Sequence, residues 1–369
     1  MASIKWNWQQ DDWPHFTYDN RLLKRLEDEF LHHSGLLLGS YIHINDQDQE
    51  HLLINIMSEE AIKTSEIEGE MLNRDSVQSS IRKQLGLITD HRRADPAEVG
   101  VAEMMVDHYR HFTQPLNHKQ LYHWHAMLMN GRRDLGCIGH YRKHSDTMQI
   151  VSGRLDQPTV HFEAPPSKQV YKEMNRFIQW YNNSAPQGRA PLPALTRASI
   201  AHLYFESIHP FEDGNGRIGR SIAEKSIAQS INKPAMVALS QTIYKHRKQY
   251  YTMLERANKS NQIDEWLDYF ATTILEAQQY SIKLIEFIIQ KTKFYDQYKE
   301  LLNPRQHKVT ERMFFEGLDG FKGGLSAQNY LRITSTSRAT ATRDLQHMVS
   351  IGAFTKTGTG KGTRYYLAL

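Results

Sequence analysis

The stretch 209-HPFEDGNGRIGR-220 carries the strongest signal in this chain of 369 residues. A histidine, two acids, an asparagine, three glycines and two arginines stand within twelve positions, and most of these residue types are poor choices for plain helix or hydrophobic core. Helical patterns flank the stretch. The helix before it has a periodic apolar face of Leu195, Ala198, His202, Phe205 and Ile208, and a second helix starts near Arg217. The sequence therefore predicts a tight turn between two helices.

The glycines and arginines of this turn predict a binding site for phosphate groups. Gly214 and Gly216 let the backbone adopt left-handed conformations that point successive N–H groups outward. The following helix adds the positive end of its dipole, about half a unit charge. Arg217 and Arg220 are three residues apart and share a face of its first turn, where guanidinium groups can grip a polyphosphate.

Three more side chains extend the predicted site to metal binding and proton transfer. Asp213 beside the cradle would repel phosphate unless a divalent cation lay between them, and Mg²⁺ commonly binds one carboxylate together with phosphates. Asn215 can donate a hydrogen bond to phosphate, and His209 is placed to accept a proton from a nucleophile. The alternative for each residue alone is a glycine turn with an Asp–Arg salt bridge and a histidine packed on Phe211.

Other interpretations of the glycines and histidines fit less well. Gly214, Gly216 and Gly219 match G-x-G-x-x-G, but a helix rather than a strand precedes them, so a dinucleotide fold is excluded. The tail segment "GTGKGT" lacks the spacing of a P-loop. Histidines two positions apart, as in "HWH" (123–125), diverge on a helix and are expected to be packing or surface groups rather than zinc ligands.

The stretch resembles the signature of the Fic family, H-P-F-x-[D/E]-G-N-G-R-x-x-R, and matches every specified position. The resemblance extends over about residues 115–275: "GHYR" at 139–142 and the following hairpin look like the family's flap, and "SQTIYKHRKQYYTML" looks like the segment after its active helix. The family fold is a helical core with a β-hairpin flap.

The resemblance implies a protein adenylyltransferase, an enzyme that transfers AMP from ATP to a Tyr, Ser or Thr hydroxyl of a protein, with Mg²⁺ as cofactor. His209 would be the general base, Asp213 would hold Mg²⁺ and Phe211 would anchor the loop. The nucleotide-binding residues would be Gly214, Asn215 and Gly216 for the α and β phosphates, Arg217 for the β and Arg220 for the γ phosphate, with Tyr204 and His246 in the nucleoside pocket. A target segment would dock on the flap at 148–162 by β-augmentation.

A second motif predicts autoinhibition of this activity. The segment "TSEIEG" at 64–69 matches the family's inhibitory pattern [S/T]-x-x-x-E-[G/N] with Thr64, Glu68 and Gly69. Thr64 and Glu68 are four residues apart and so share a helix face. In the family the glutamate pairs with the second signature arginine, here Arg220, and withholds it from the γ-phosphate.

The chain as a whole is expected to be mainly α-helical, with three regions. Residues 1–114 form an N-terminal helical region with an inhibitory helix at about 50–69, and residues 115–300 form the Fic core. Residues 301–369 follow the helix, turn, helix and β-wing order of a winged helix-turn-helix. Pro304 marks the boundary before this tail, which holds ten Lys and Arg against four acids. A DNA or protein partner is expected there.

Composition bounds the location of the protein. One cysteine excludes an internal disulfide and suits a reducing compartment. The sequence has no signal-peptide pattern and no apolar run of membrane-helix length, so a cytoplasmic protein without a membrane partner is expected. A homodimer is left open. The alternative functions are a nucleotide-gated DNA-binding regulator with weak catalysis, another group transfer, or removal of AMP from a modified protein.

Overall fold

A computed structural model describes residues 5–87, 93–154, 157–321 and 323–369. The chain is mainly helical, as the sequence predicts, and the strands in the described residues form two antiparallel hairpins. Contacts divide the chain into two compact units: residues up to Leu38 with Gln49–Ser281, and Gly39–Asp48 with Ile282–Leu369. The second unit thus begins within a helix, and the division at residues 114 and 300 stays a prediction.

Eleven helices precede residue 299 in the described part of the chain: α1 (Lys24–Ile42), α2 (Asp46–Ile67), α3 (Arg74–Leu85), α4 (Pro96–His111), α5 (His118–Leu128), α6 (Ser167–Asn183), α7 (Ala194–Ile208), α8 (Asn215–Ile231), α9 (Leu239–Lys245), α10 (Arg247–Ala257) and α11 (Asp264–Tyr298). Local sequence sets several of their starts. Asn73 and Asn117 accept hydrogen bonds from the backbone N–H groups of Ser76 and Gln120, and so cap α3 and α5.

The pair α7 and α8 forms the centre of the first unit. All fifteen residues of α7 are buried, so the periodic face predicted from sequence is one side of a helix that is covered all round. One hydrophobic cluster packs on Tyr204, Phe205 and Ile208, and another packs on Leu195 and Ala198. Ile208 before the turn and Ile218 after it belong to the same cluster, so the turn that joins α7 to α8 is anchored at both ends in the core.

The predicted hairpin forms between β1 (Gln149–Arg154) and β2 (Gln157–Glu163). Its register pairs Ile150 with Phe162, with an irregularity between Ile150 and Val151. Leu155 and Asp156, which stand between the two strands in the sequence, lie outside the described residues. We call residues 148–162 the flap.

An N-terminal segment, Trp6–Gln10, packs on the base of the flap. The Trp6 ring meets Phe162 edge-on at 5.5 Å between centroids, and the Trp8 indole donates a 2.6 Å hydrogen bond to the Glu163 carbonyl. The Asn7 amide donates to the Ser207 hydroxyl at 2.7 Å, two residues before His209. The segment thus links the flap to the end of α7.

The second unit contains three helices and a hairpin after residue 303: α12 (Pro304–Phe315), α13 (Ala327–Thr334), α14 (Arg338–Ser350), β3 (Phe354–Thr357) and β4 (Arg364–Leu367). Val309, Tyr330, Leu345 and Phe354 are among the residues of its own hydrophobic core. Helix α12 was absent from the sequence expectations. The assignment of residues 301–369 as a winged helix-turn-helix stays a prediction.

Pro304 begins a helix here, rather than only ending one. The Asn303 side chain accepts hydrogen bonds from the N–H groups of Arg305 and Gln306, and the Gln306 side chain bonds back to the Asn303 N–H. Proline at the first helical position needs no N–H donor, so this sequence favours a helix start.

Among the helices of the described residues, none combines the length and the apolar character that a bilayer span requires.

Candidate active site

The turn at His209–Gly214 is held by contacts that leave little freedom. His209 adopts a left-handed conformation with φ of 48°, and Gly214 does so at φ of 80° immediately before α8. The fully buried Phe211 ring stacks on His125 at 4.2 Å with an interplanar angle of 7°. These contacts give the loop a single shape and aim the start of α8 at whatever lies in front of it.

The Asn215 amide closes the turn from inside. Its Oδ1 accepts from the Phe211 N–H at 2.9 Å, and its Nδ2 donates to the Phe211 carbonyl at 2.8 Å. The side chain that we expected to donate to phosphate is therefore engaged in shaping the loop. The backbone N–H of Asn215, at the first position of α8, remains as its means of binding an anion.

His209 is buried beside the flap. Its side chain is 11% exposed, and its ring centroid lies 6.5 Å from that of Phe162. Burial, together with the nearby charge of Arg142, lowers the pKa of His209 to about 4. The imidazole is therefore neutral at pH 7 and able to accept a proton.

Arg142, from the "GHYR" segment, fixes the backbone around His209. This buried guanidinium donates to the carbonyls of His209 at 2.8 Å and Pro165 at 2.6 Å, and to the Ser167 hydroxyl at 3.0 Å. Burial lowers the pKa of Arg142 to about 10, so it stays charged at neutral pH. A cation at these carbonyls also offsets the negative end of the α7 dipole.

Asp213 presents an ionised carboxylate at the edge of the cradle. Burial would raise the pKa of Asp213, but the hydrogen bond from Arg132 and the charge of Arg217 outweigh burial, and the pKa is lowered. Arg132 Nη1 lies 2.6 Å from Asp213 Oδ2, and both side chains are more than a third exposed. One half-exposed, ionised oxygen donor fits Mg²⁺, which keeps water and phosphate as its other ligands. Arg132 would have to release this oxygen.

The two signature arginines are both engaged by residues at the end of α2 and just after it. Arg220 Nη2 lies 2.7 Å from Glu68 Oε1, and Arg220 also donates to the Thr64 hydroxyl at 2.8 Å and the Thr64 carbonyl at 2.9 Å. Arg217 Nη1 lies 2.6 Å from Glu70 Oε2. The structure thus brings together Thr64, Glu68 and Arg220, as the motif implies, and adds Glu70.

Gly69 and Gly216 give Glu68 the room to reach Arg220. Gly69 follows the end of α2 with φ of 87°, a conformation that favours glycine. A Cβ on Gly216 would overlap Glu68 Oε1 and come within 3.1 Å of Arg220 Nη1. The carboxylate therefore lies directly against the backbone of the predicted phosphate cradle.

Tyr204 belongs to the aromatic core, not to a nucleoside pocket. Its ring is 2% exposed and meets Trp13 and Phe177 edge-on at 5.1 and 5.2 Å. We therefore reassign it. His246 lies between α9 and α10 and pairs with Glu276 of α11 at 3.2 Å, so no contact with a signature residue supports its predicted role.

Of the two histidines of "HWH" (123–125), His125 is buried in the core and His123 is exposed. His125 accepts a hydrogen bond from the Gly139 N–H at 2.9 Å, and burial lowers its pKa to about 4. Burial also lowers the pKa of His108 to about 3. No group of three or more His, Cys, Asp or Glu in the described ranges is arranged to hold a metal ion.

Three polar residues of the site were not singled out from the sequence. Arg132 and Glu70 have no motif of their own and reach the site only through the fold. Glu206, one turn before His209, is buried under α8, and burial raises its pKa to about 8, with the charge of Glu68 adding to the effect. Its only sequence signal is an acid inside an apolar helix.

Comparison with protein families agrees with this geometry. Residues 115–227 match the Fic/DOC family, and residues 6–87 match a domain of unknown function (DUF4172). The chain contains a Fic domain. The Fic match begins before α5 and ends within α8, so it contains the flap, Arg142 and the whole signature.

Relatives of this Fic protein carry the name "Protein adenylyltransferase Fic". The one from Nematostella vectensis is 28% identical over 116 residues, which cover 31% of this chain and 25% of the relative. The one from Drosophila mojavensis is 29% identical over 119 residues, covering 32% and 22%. The chain thus matches only about a quarter of the length of these relatives.

Solved structures share the fold at low sequence identity. A Fic family protein from Desulfovibrio desulfuricans G20 aligns over 96% of this chain and 98% of that chain, with a TM-score of 0.54 and 20% identity. Fic-1 from C. elegans aligns over 72% of this chain and 74% of that chain, with a TM-score of 0.50 and 18% identity. These likenesses concern the fold alone.

Proposed function

We propose that this Fic protein transfers AMP from Mg-ATP to a Tyr, Ser or Thr hydroxyl of a protein. The observation that carries the proposal is the neutral, buried imidazole of His209 beside a helix N-terminus that bears Arg217 and Arg220 in its first two turns. This arrangement supplies a base, an anion cradle and two cationic grips within one loop.

The reaction assigns each group a task. The target hydroxyl oxygen attacks the α-phosphorus as the bond from the α-phosphorus to the bridging oxygen breaks, and pyrophosphate leaves. His209 accepts the hydroxyl proton, and the N–H groups at the start of α8 hold the α and β phosphates. Catalysis here consists of positioning and charge neutralisation, with no covalent enzyme intermediate.

Magnesium and the target protein are bound at two edges of this site. Asp213 would hold Mg²⁺, which when bound neutralises phosphate charge. The flap would accept an extended target segment along a strand edge, next to His209. Phe162 of β2 is the flap residue whose ring lies 6.5 Å from that of His209.

Glu68 would repress the reaction by keeping Arg220 from the γ-phosphate. The contact supports this, because Arg220 is 1% exposed and uses Nε and Nη2 on Thr64 and Glu68. Burial alone would lower the pKa of Arg220, but the charge of Glu68 outweighs burial and raises it. A terminal phosphate would have to displace Glu68, whose charge repels it.

The test uses ATP labelled at either the α or the γ phosphate. Wild type, Glu68→Gly and His209→Ala are incubated with Mg²⁺, with and without a cell extract as a source of targets. We expect label to be retained on protein from the α position only, more strongly in Glu68→Gly than in wild type, and not at all in His209→Ala.

Other outcomes would redirect the assignment. Retention from the γ position would indicate phosphotransfer instead. Equal transfer by wild type and Glu68→Gly at saturating Mg-ATP would contradict the inhibitory role of Glu68. If no variant retains label on protein while DNA binding is intact, the result would favour a nucleotide-gated DNA-binding regulator. The exposed Arg338 and Arg343 of α14 support that alternative.

A further inference from the structure

Glu70 leaves α2 in a turn that directs it at the first helical turn of α8. The N–H groups of Glu68 and Glu70 both donate to the Ser65 carbonyl at 3.0 Å, and Gly69 between them has φ of 87°. This arrangement ties both carboxylate-bearing residues to the end of α2. Glu68 and Glu70, which are separated by one glycine, can therefore contact two arginines that are three positions apart on α8.

The Glu70–Arg217 pair matches the Glu68–Arg220 pair in geometry. Its N···O distance is 2.6 Å against 2.7 Å, and its arginine side chain is 5% exposed against 1%. Glu70 itself is 37% exposed and Glu68 is 29% exposed. In both pairs a buried guanidinium is held by a carboxylate that reaches in from the solvent side.

The other acid near Arg217 is a weaker partner. Asp213 Oδ1 lies 3.8 Å from Arg217 Nη2, which is beyond hydrogen-bond distance, and Asp213 is itself engaged by Arg132. Glu70 is thus the close anionic partner of Arg217 in this structure. A phosphate oxygen that binds Arg217 Nη1 competes with Glu70 for that donor.

We propose that Glu70 is a second gate of the nucleotide site, acting at the β-phosphate subsite while Glu68 acts at the γ-phosphate subsite. The inference rests on the proposed function, because the two subsites follow from the signature. Glu70 lies outside the inhibitory motif, which ends at Gly69. Since ADP has a β but no γ phosphate, the two gates discriminate between nucleotides: Glu70 restrains the binding of nucleoside diphosphates and triphosphates alike, and Glu68 restrains mainly triphosphates.

The test is the dissociation constant of ADP and of ATP, with Mg²⁺, for the full chain and its variants by calorimetry. We expect Glu70→Gln to bind both nucleotides about three- to tenfold more tightly than wild type, which corresponds to about 1 kcal/mol, the upper end of the range for a partly exposed ion pair. Glu68→Gly should tighten ATP more than ADP. The double variant Glu68→Gly, Glu70→Gln should combine both gains for ATP.

Glu66→Gln is the matched control. Glu66 lies in α2 two residues before Glu68 and pairs with Lys63 at 2.7 Å, so the substitution removes the same charge without touching a signature arginine. Its nucleotide affinities should equal those of wild type. Thermal unfolding of each variant verifies that the fold is retained, and Glu70→Asp, which keeps the charge but shortens the reach, should fall between wild type and Glu70→Gln.

Three results would overturn the inference, and they can be told apart. If Glu68→Gly tightens ATP while Glu70→Gln behaves like Glu66→Gln, the second gate is rejected and the proposed function stands. If no variant binds either nucleotide, the proposed function fails and the second gate fails with it. Tightening of ATP alone by Glu70→Gln would also reject the assignment of Glu70 to the β subsite.

Discussion

His209 occupies a left-handed backbone conformation that few residues other than glycine adopt, with φ of 48°. The strain places its ring between the end of α7 and the flap, where Arg142 holds the carbonyl. Burial then sets the chemistry, since it lowers the pKa of the imidazole to about 4. One residue thus couples backbone geometry to the protonation state that a general base requires.

This pKa predicts an unusual pH profile. A base acts in its neutral form, so lowering the pH abolishes activity only as it passes through the pKa. We expect kcat/KM of the Glu68→Gly variant for α-labelled ATP to change less than about twofold between pH 7 and 5, and to fall as the pH approaches 4, because kcat/KM reports groups of the free enzyme.

The profile is measured at saturating Mg²⁺, with His209→Ala as the background. A midpoint near 6.5, the ordinary pKa of histidine, would contradict the neutral, buried ring described above. Far-UV circular dichroism at each pH separates loss of fold from loss of the base.

At the scale of single residues, the sequence predicted contacts between residues that both belong to known motifs. It missed contacts between residues that only the fold brings together. Glu68 and Arg220 are 152 positions apart, yet a motif at each end predicted their pairing. Arg132 and Asp213 are 81 positions apart with a motif at one end only, and this pair was missed. Tyr204 was misassigned because an apolar helix that is buried on all sides gives no periodic signal of which face meets a ligand.

Helices α4 and α5 cross where Gly100 removes a side chain. A Cβ at Gly100 would overlap the Met127 carbonyl oxygen and lie 3.2 Å from the Asn130 Cβ. A backbone carbonyl cannot turn aside as a flexible side chain can. The close approach of the two helices therefore depends on this glycine.

We expect Gly100→Ala to destabilise the protein by about 1–3 kcal/mol, because overpacking outweighs the better helix propensity of alanine. Gly35→Ala in α1 is the control, since a Cβ there meets nothing within 4 Å. It should be neutral or stabilising by up to about 1 kcal/mol. Urea denaturation measures both, and equal stability of the two variants would contradict the described crossing.

Element bounds followed the strength of local signals. The helix predicted from the periodic face between Leu195 and Ile208 agrees with α7, because apolar periodicity and the preceding Pro193 define it. Helix α12 was missed because Pro304 was interpreted as a boundary alone, although Asn303 and Gln306 provide a capping box around it. A proline alone does not show whether a helix ends before it or begins at it, and the capping residues around it decide between the two.

Charge is distributed unevenly over the whole molecule. Residues 303–369 hold ten Lys and Arg against four acids. Arg338 and Arg343 of α14 are exposed, as is Lys356 of β3, whereas Arg305 is paired with Asp344 at 2.8 Å. Part of the basic surplus thus remains available for phosphates of a nucleic acid.

We expect the full chain to bind duplex DNA with an affinity that falls steeply as salt increases. Arg338→Ala, Arg343→Ala should weaken binding and reduce the slope of log K against log salt by about two, because each neutralised phosphate contributes about 0.9 to that slope. Lys168→Ala, Lys172→Ala in the exposed face of α6 is the charge-matched control. A slope unchanged by the α14 variant, or equal weakening in the control, would exclude α14 as the DNA-binding element.

The indole of Trp8, bonded to the Glu163 carbonyl at the base of the flap, has a use beyond structure. Indole fluorescence responds to the breaking of such a bond and to a change in the polarity around the ring. Displacement of β2 by an incoming peptide would therefore alter emission from Trp8, and a Trp8→Phe variant would identify that signal among the six tryptophans. The protein carries its own optical probe of flap movement, readable without any attached dye.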